Sequence, residues 1–230
     1  MINILLYHQI GEKPNENTNL NCFCNTGEFI AQMDFLYNSD YKIISLKTAM
    51  NLINNEQYMD NKYVVLTFDD GCEKFFDIAY PILESRNFQS IVYPVVGLLG
   101  KYATWGKKNN NELKILSKNM LVELSTLGVD IGAHTINHRK LTQIQRSDAF
   151  YEIKKSKDLL EQLIGKNIDS FAYPHGDFDN HTVAIVKESG FNNAVTCIAD
   201  YAETAKSAFE IPRKYITYFD TITDFKKKLV

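Results

Sequence analysis

Short apolar segments alternate with longer segments of helical periodicity along most of the chain. The short segments are rich in Ile, Val, Tyr and Phe, which is typical of strands that are buried in a sheet. They predict seven strands, at Ile2–Tyr7, Tyr41–Ile44, Tyr63–Phe68, Ser90–Val95, Val129–Ala133, Ser170–Tyr173 and Ala194–Thr196.

The longer segments repeat apolar residues every three or four positions, which places those residues on one face of a helix. Gly128, Gly165 and Gly190 fall where three of the downstream helices are expected to end. The predicted buried faces are formed by Phe29, Met33, Leu36 and Tyr37, by Phe75, Ile78, Ala79, Ile82 and Leu83, and by Phe150, Ile153, Leu160, Leu163 and Ile164.

Strands separated by helical segments indicate a parallel α/β sheet, and about seven such units suggest that the sheet closes into a barrel. The sequence contains neither an internal repeat nor a linker that would divide it. The polar run Lys107–Asn111 is interpreted as an exposed loop tip rather than a domain boundary. We therefore expect a single domain that covers residues 1–230.

Composition and charge narrow the functional class. The chain of 230 residues is 45% hydrophobic and 23% charged, and its net charge of −3 gives no reason to expect nucleic acid or an anionic membrane as a partner. No apolar run approaches the roughly 18 residues of a membrane-spanning helix. The N-terminus lacks the basic segment of a signal peptide, so we expect a cytoplasmic protein unless a leader is missing. The four cysteines are expected to be reduced thiols.

Two adjacent carboxylates and a glycine follow the predicted strand Tyr63–Phe68. Neighbouring like charges at a strand end are unfavourable unless a cation lies close to them. One alternative is that Asp69 or Asp70 caps the helix expected from Glu73, but a single aspartate would suffice for that purpose. Since the ends of parallel strands carry the chemistry of α/β folds, the pair favours a functional site.

A second polar motif, His134-Thr-Ile-Asn-His138, follows another predicted strand. Histidines four residues apart lie on one face of a helical turn and can present two imidazole nitrogens to one metal ion, although this spacing is also common on solvated helices. Together with one carboxylate from residues 69–70, the two histidines would leave positions open for water and substrate. This ligand count is typical of a catalytic metal site.

A third motif, Phe171-Ala-Tyr-Pro-His-Gly176, reads as a strand followed by a turn. Either it is a simple connection to the next helix, or its backbone N–H groups point into the site. His8 and His175 also follow predicted strands, whereas His181 stands at a helix start and is expected at the surface.

These motifs resemble the polysaccharide deacetylases of carbohydrate esterase family 4. The combination of Thr67-Phe-Asp-Asp-Gly71 with His134-Thr-x-x-His138 carries the resemblance, which extends over most of the chain. The segments Leu6–Ile10, Tyr41–Leu46 and Phe171–Gly176 are most similar to the circularly permuted branch, which includes poly-N-acetylglucosamine deacetylases. The resemblance implies an α/β fold with a distorted parallel barrel of the (β/α)7 type.

The resemblance also implies a role for each matching residue. Asp70, His134 and His138 would hold one divalent metal ion, usually zinc, with Co²⁺, Ni²⁺ or Fe²⁺ as alternatives. Asp69 would be the general base that takes a proton from water activated by the metal. The backbone N–H of His175, where the family more often has tyrosine, would help to hold the oxyanion.

Two departures from the family pattern generate further expectations. Ser170 and Phe171 stand where an arginine usually precedes the Tyr-Pro-x-Gly element. Arg213 could supply this charge beside Asp69, or it could equally cap a sheet edge. The late Leu-His motif is missing, and in the permuted branch it moves to an early position. We therefore expect His8 to be the general acid, with His175 as the rival.

Substrate contacts are expected from Tyr173 and Pro174 in the turn and from Trp105, although a lone tryptophan also serves in packing.

The leading functional hypothesis is metal-dependent removal of acetyl groups from an N-acetylated sugar or glycan, which releases acetate and a free amine. One alternative is deformylation or deacylation of a lipid-linked sugar in envelope synthesis. Another is a non-catalytic carbohydrate-binding relative, which the intact set Asp69, Asp70, His134 and His138 argues against, because a binding module needs no base beside a metal.

Overall fold

Ten strands and seven α-helices lie in the parts of the chain that the computed structural model describes, residues 1–14, 18–59, 61–105 and 113–230. The strands are β1 (Ile2–Tyr7), β2 (Gln9–Gly11), β3 (Phe23–Asn25), β4 (Tyr41–Ile43), β5 (Lys62–Asp70), β6 (Ile91–Pro94), β7 (Asp130–Ile131), β8 (Ser170–Ala172), β9 (Asn193–Val195) and β10 (Lys214–Tyr215). The α-helices are α1 (Thr26–Tyr37), α2 (Leu46–Asn54), α3 (Tyr80–Glu84), α4 (Lys118–Thr126), α5 (Arg146–Ile164), α6 (Asn180–Glu188) and α7 (Ile222–Lys228). A π-helical segment at Phe75–Ala79 leads into α3, and 3-10 turns lie at Leu20–Cys22, Val96–Leu98, Leu141–Gln143, Pro174–Gly176 and Ala202–Thr204.

Seven parallel strands form the ring of the barrel. Hydrogen-bonded pairing runs in the order β10, β1, β5, β6 and β7. A bridge between Ala133 and Phe171 joins the end of β7 to β8, which pairs with β9. A second bridge, between Val195 and Ile211, joins β9 to the segment that leads into β10. The ring closes through these two single bridges, so the distorted parallel (β/α)7-type barrel is confirmed.

All seven predicted strands exist, but one of them lies outside this ring. β4 pairs with the first residues of β5, on the side where β6 pairs with the last residues of β5. The seventh strand of the ring is β10, which the sequence analysis missed together with β2 and β3. These three strands are only two or three residues long, which is too short for a periodic pattern.

The two longest strands of the sheet are buried on both faces. β1 is buried throughout and β5 is buried from Tyr63 onward, as expected for parallel strands covered by helices. Alternate residues enter two clusters. One cluster, between sheet and helices, includes Leu5, Tyr7, Val64, Leu66 and Phe68; the other, inside the barrel, includes Ile2, Ile4, Tyr63, Val65, Tyr93 and Ala172.

The predicted helical faces are largely correct. Phe29, Met33 and Leu36 of α1 are buried, whereas Tyr37 at its end is exposed, contrary to the prediction. The centroid of the Tyr37 ring lies 6.3 Å from that of the Phe88 ring, and the residue keeps most of its surface in solvent. Gly128, Gly165 and Gly190 each have a positive φ just beyond α4, α5 and α6, so the predicted helix ends are confirmed.

The structure tests some of the other sequence predictions and leaves the rest untested. None of the helices in the described ranges combines the length and apolar character that a membrane span requires. All four cysteines are free thiols, as expected. The predicted loop tip at Lys107–Asn111 lies outside the described residues. The single domain over residues 1–230 and the cellular location stay predictions.

Inside the barrel, the Tyr93 ring lies close to the backbone of Gly132, which follows β7. Tyr93 of β6 passes over this glycine, and its hydroxyl lies 2.7 Å from the Ser170 hydroxyl of β8. A Cβ atom on Gly132 would lie only 2.2 Å from the Tyr93 ring. The absence of a side chain therefore allows Tyr93 to connect β6 with β8 across the short β7.

We expect Gly132→Ala to destabilise the protein by about 1–3 kcal/mol, because overpacking displaces a buried ring. Urea unfolding measures the free energy of unfolding. Tyr93→Leu is the control background, since it removes the ring that the new methyl group would strike. A Gly132→Ala penalty of the same size in both backgrounds would contradict this explanation.

Candidate active site

Asp69 and Asp70 end β5 inside the mouth of the barrel. Successive strand residues point to opposite faces, and Asp69 continues the inward-facing set of residues 63, 65 and 67. Asp70 leaves strand geometry through a left-handed φ of 68°. Both carboxylates consequently interact with His134. Gly71 continues the turn at φ 72°, where a Cβ atom would come within 2.7 Å of Pro94.

The structure places Arg213 beside Asp69, which is one of the two alternatives that the sequence analysis left open. The guanidinium donates two parallel hydrogen bonds, from NH1 to Oδ1 at 2.7 Å and from NH2 to Oδ2 at 2.6 Å. Both side chains are buried. Burial alone would raise the pKa of Asp69, but the charge and hydrogen bonds of Arg213 lower it below its ordinary value, so the carboxylate stays ionised.

Further hydrogen bonds fix the Arg213 guanidinium in place. Its Nε donates to the Thr196 carbonyl at 2.9 Å, and NH1 also donates to the Thr67 hydroxyl at 3.0 Å. That hydroxyl donates in turn to the Leu5 carbonyl at 2.8 Å. The guanidinium thus connects the segments around β1, β5, β9 and β10 at one end of the barrel.

Asp70, His134 and His138 form a second group. Oδ1 of Asp70 lies 3.5 Å from Nε2 of His134 and 3.3 Å from Nε2 of His138. Nδ1 of His134 lies 2.8 Å from the Ala172 carbonyl. Since a carbonyl only accepts, Nδ1 carries a proton, which leaves Nε2 as the ring atom that could bind a metal ion. Burial lowers the pKa of His138 to about 3, which keeps that ring neutral.

This group fits a divalent cation. One ligand atom from each of the three residues lies within 4.8 Å of the others, and all three residues are buried. Two neutral imidazole nitrogens and one carboxylate oxygen suit zinc and related ions, and three protein ligands leave positions for water and substrate. The donor set is the one that the sequence analysis expected.

The backbone of the histidine motif differs from the expected helical turn. Residues 134–138 form an irregular loop in which Thr135 and His138 have φ values of 65° and 58°. The Thr135 hydroxyl accepts a hydrogen bond from the His138 N–H at 2.9 Å. The helical prediction was wrong because a local turn with two left-handed residues, rather than helical periodicity, brings both imidazoles to Asp70.

Glu152 of α5 holds this loop, and the sequence analysis missed it. Its carboxylate, in a residue only 2% exposed, accepts hydrogen bonds from the N–H groups of Ile136 and Asn137 at 3.0 and 2.9 Å and from the Asn137 side chain at 2.8 Å. The available signal was the position of this acid beside Ala149 and Ile153 on the face of α5 that the apolar pattern assigns to the core.

Trp105 and His175 both contact the His138 ring. The ring centroids lie 4.0 Å from His138 for Trp105 and 4.3 Å for His175. Nε2 of His175 lies 3.2 Å from the His138 carbonyl, and the backbone of this residue is left-handed at φ 60°. Both residues therefore border the group of Asp70, His134 and His138, His175 as an exposed side chain and Trp105 as a half-buried one.

His8 lies at the end of β1 and contacts Tyr215 of β10. Nε2 of His8 is 3.2 Å from the Tyr215 hydroxyl, and the two rings stack with centroids 5.0 Å apart. That hydroxyl also contacts the Cys22 thiol at 3.3 Å. Burial lowers the pKa of His8, although the charges of Asp70 and Asp69 oppose the shift.

The side chain of Tyr173 does not line the site, so its predicted substrate contact was wrong. The residue is fully buried, its hydroxyl donates to the Phe209 carbonyl at 3.1 Å, and its ring stacks on Phe178. Strand alternation turns it away from the barrel interior. Pro174 is buried at the start of the turn, and its substrate contact stays a prediction.

Comparisons with known proteins agree with this geometry. A family profile described as polysaccharide deacetylase matches residues 56–194. The chain is similar to the putative polysaccharide deacetylase YxkH of Bacillus subtilis, with 25% identity over 74% of this chain and 57% of the relative. It is also similar to a poly-beta-1,6-N-acetyl-D-glucosamine N-deacetylase of Staphylococcus aureus, with 23% identity over 83% of this chain and 66% of the relative. The chain thus spans about three fifths of the length of these relatives.

A solved structure covers the whole chain. The Streptococcus pyogenes deacetylase PplD, in complex with acetate, superposes with a TM-score of 0.86 and 25% identity over 100% of this chain and 98% of that one. Since the match is nearly complete in both directions, the two proteins share the entire barrel.

We expect Glu152→Gln to weaken the binding of Zn²⁺ or Co²⁺ by about 10- to 100-fold, because loss of the carboxylate releases the loop that positions His138. Isothermal titration calorimetry on the metal-free protein measures the affinity. Asp158→Asn, which neutralises an exposed carboxylate on the same helix, is the matched control. Equal affinities for the two variants would contradict the role of Glu152.

Proposed function

The chain belongs to the polysaccharide deacetylase family, and on that premise we propose that it is a divalent-metal-dependent N-deacetylase of an N-acetylated sugar or glycan. It hydrolyses the acetamide group to give acetate and a free amine. The observation that carries this proposal is that the two adjacent carboxylates have different partners. Asp69 is bound by Arg213, whereas Asp70 faces two histidines.

The metal is assigned to Asp70, His134 and His138. A divalent cation there would supply Lewis-acid chemistry, which polarises the acetamide carbonyl and makes water more acidic. The Nδ1–H of His134 donates to the Ala172 carbonyl and so holds Nε2 toward Asp70. Zinc is the first candidate, because a nitrogen-rich set with one carboxylate is common in catalytic zinc sites.

Asp69 is the general base. It is ionised because Arg213 lies against it, so it can accept a proton from the water that attacks the acetamide carbonyl. The bidentate geometry also fixes the carboxylate plane, which leaves little freedom for a competing orientation. The backbone N–H of His175, at the rim of the metal-ligand group, is assigned to the developing oxyanion.

His8 is the general acid that protonates the leaving amine. Amine expulsion needs a proton because an amide anion is a poor leaving group. The Tyr215 hydroxyl lies within hydrogen-bonding distance of Nε2 of His8, while Nδ1 has no hydrogen-bond partner among the described residues. Burial lowers the pKa of this ring, whereas the charges of Asp70 and Asp69 favour the protonated form that a general acid needs.

The relatives support the class of substrate. The S. aureus relative is named for a poly-beta-1,6-N-acetylglucosamine substrate, and the PplD structure contains acetate, the product that deacetylation would release. We therefore assign N-acetylglucosamine-containing glycans as the substrate class. Trp105, against His138, is in position to contact a sugar ring.

The test is acetate release from N-acetylglucosamine oligosaccharides after reconstitution with Zn²⁺, Co²⁺, Ni²⁺ or Fe²⁺. Mass spectrometry identifies a loss of acetyl from the sugar. The His134→Ala, His138→Ala double variant is the control and should neither bind the metal nor release acetate. Activity without metal in the parent protein, or in the double variant, would overturn the proposal.

We expect Asp69→Asn to lower turnover by about 10²- to 10⁴-fold with the metal retained, because asparagine keeps the shape but cannot take a proton. Metal content and acetate release are measured on the same sample. Normal turnover would make Asp69 only structural. Loss of the metal would mean that the roles of Asp69 and Asp70 are exchanged.

We expect His8→Ala to lose most of its turnover at saturating metal, because the leaving amine then lacks its proton donor. His175→Ala is the comparison variant and should fall less, since its assigned role is through the backbone. Steady-state kinetics with metal analysis separates the two. Wild-type turnover in His8→Ala would exclude His8 as the acid.

A further inference from the structure

Two neighbouring aromatic side chains, Tyr218 and Phe219, face solvent beyond the end of β10. Phe219 is 64% exposed, and it is the only mostly exposed phenylalanine in the described part of the chain. Tyr218 is 39% exposed, and the two rings meet edge to face with centroids 5.8 Å apart. Together the two rings present aromatic surface to solvent.

The turn that carries these rings is held rigidly. The buried carboxylate of Asp220 accepts hydrogen bonds from the Thr217 N–H at 2.7 Å, from the Thr217 hydroxyl at 3.0 Å and from Lys228 at 2.6 Å. The Phe219 N–H also contacts the Thr217 hydroxyl at 3.3 Å. A rigid turn loses little conformational entropy when a ligand binds its side chains.

The turn lies at the catalytic end of the barrel. It follows Tyr215, which stacks on His8, by three residues, a span of at most about 11 Å. The Tyr218 N–H donates to the Leu20 carbonyl at 3.0 Å, next to Cys22, whose thiol contacts the Tyr215 hydroxyl. The aromatic pair is thus tied to the group around His8.

In the order of strands, this pair and Trp105 lie on opposite sides of β1 and β5. The ring runs β10, β1, β5, β6, with His8 after β1 and Asp69 and Asp70 at the end of β5. Tyr218 and Phe219 follow β10, and Trp105 lies in the segment after β6. In the order of strands, the ends of β1 and β5, with His8 and the two carboxylates, therefore lie between the two aromatic sites.

We propose that Tyr218 and Phe219 form a distal sugar-binding subsite, so that the substrate is a chain of several N-acetylated sugars rather than a monosaccharide. This inference rests on the proposed function. The C–H groups of one pyranose face are apolar and pack on an aromatic ring, while the hydroxyl groups at the ring edge stay in water. The subsite binds a sugar remote from the acetamide that reacts.

The experiment compares the ratio of kcat/KM for a long and a short oligosaccharide of β-linked N-acetylglucosamine in the metal-loaded protein. Phe219→Ala should lower this ratio by about 3- to 10-fold. Phe219→Leu keeps the apolar area but has no aromatic face, so it should also lower the ratio. Phe219→Trp keeps an aromatic face and should give the parent ratio. Tyr37→Ala removes an equally exposed ring, 61% exposed at the end of α1, and should keep the parent ratio.

The outcomes separate this inference from the proposed function. If no oligosaccharide releases acetate, the proposed function fails. If acetate is released and Phe219→Ala keeps the parent ratio, the subsite is refuted while the function stands. A change in oligomeric state of Phe219→Ala, measured by light scattering, with the ratio unchanged would identify the pair as a protein interface and also overturn the subsite.

Discussion

Asp69 and Asp70 are adjacent, buried and both directed into the mouth of the barrel, and each needs its own source of positive charge. Two carboxylates in such a place would repel each other, and one of them would take up a proton if a single cation had to serve both. Arg213 binds Asp69 through both oxygens, and the histidine pair faces Asp70. This separation is what the proposed roles of a general base and a metal ligand require.

The contacts of the site also reinforce the weakest junctions of the ring. β7 meets β8 through a single bridge, and the bonds from Tyr93 to Ser170 and from His134 to Ala172 cross the same junction. β9 meets the β10 segment through another single bridge, and there Arg213 donates to the Thr196 carbonyl. The side chains that form the candidate site therefore also help to close the barrel, at the two junctions where only a single bridge joins the strands.

The sequence predicted the features that depend on periodicity and on strand ends. The runs that became β1 and β5 are long and apolar, and both aspartates stand where β5 ends. It did not predict β10, because two residues carry no pattern, or Glu152, because its partners are backbone N–H groups of a loop. The helical interpretation of residues 134–138 failed because left-handed φ values at Thr135 and His138 leave no signature in ordinary residue types.

The pairing of Asp69 with Arg213 spans 144 residues of sequence. A ribosome therefore releases the aspartate long before its counter-ion, and loop closure over such a distance is slow. Until Arg213 arrives, burial of Asp69 in the barrel would leave an uncompensated charge, so a partly synthesised chain gains little by closing the ring. The paired arrangement of Asp69 and Arg213 is consequently tied to completion of the barrel.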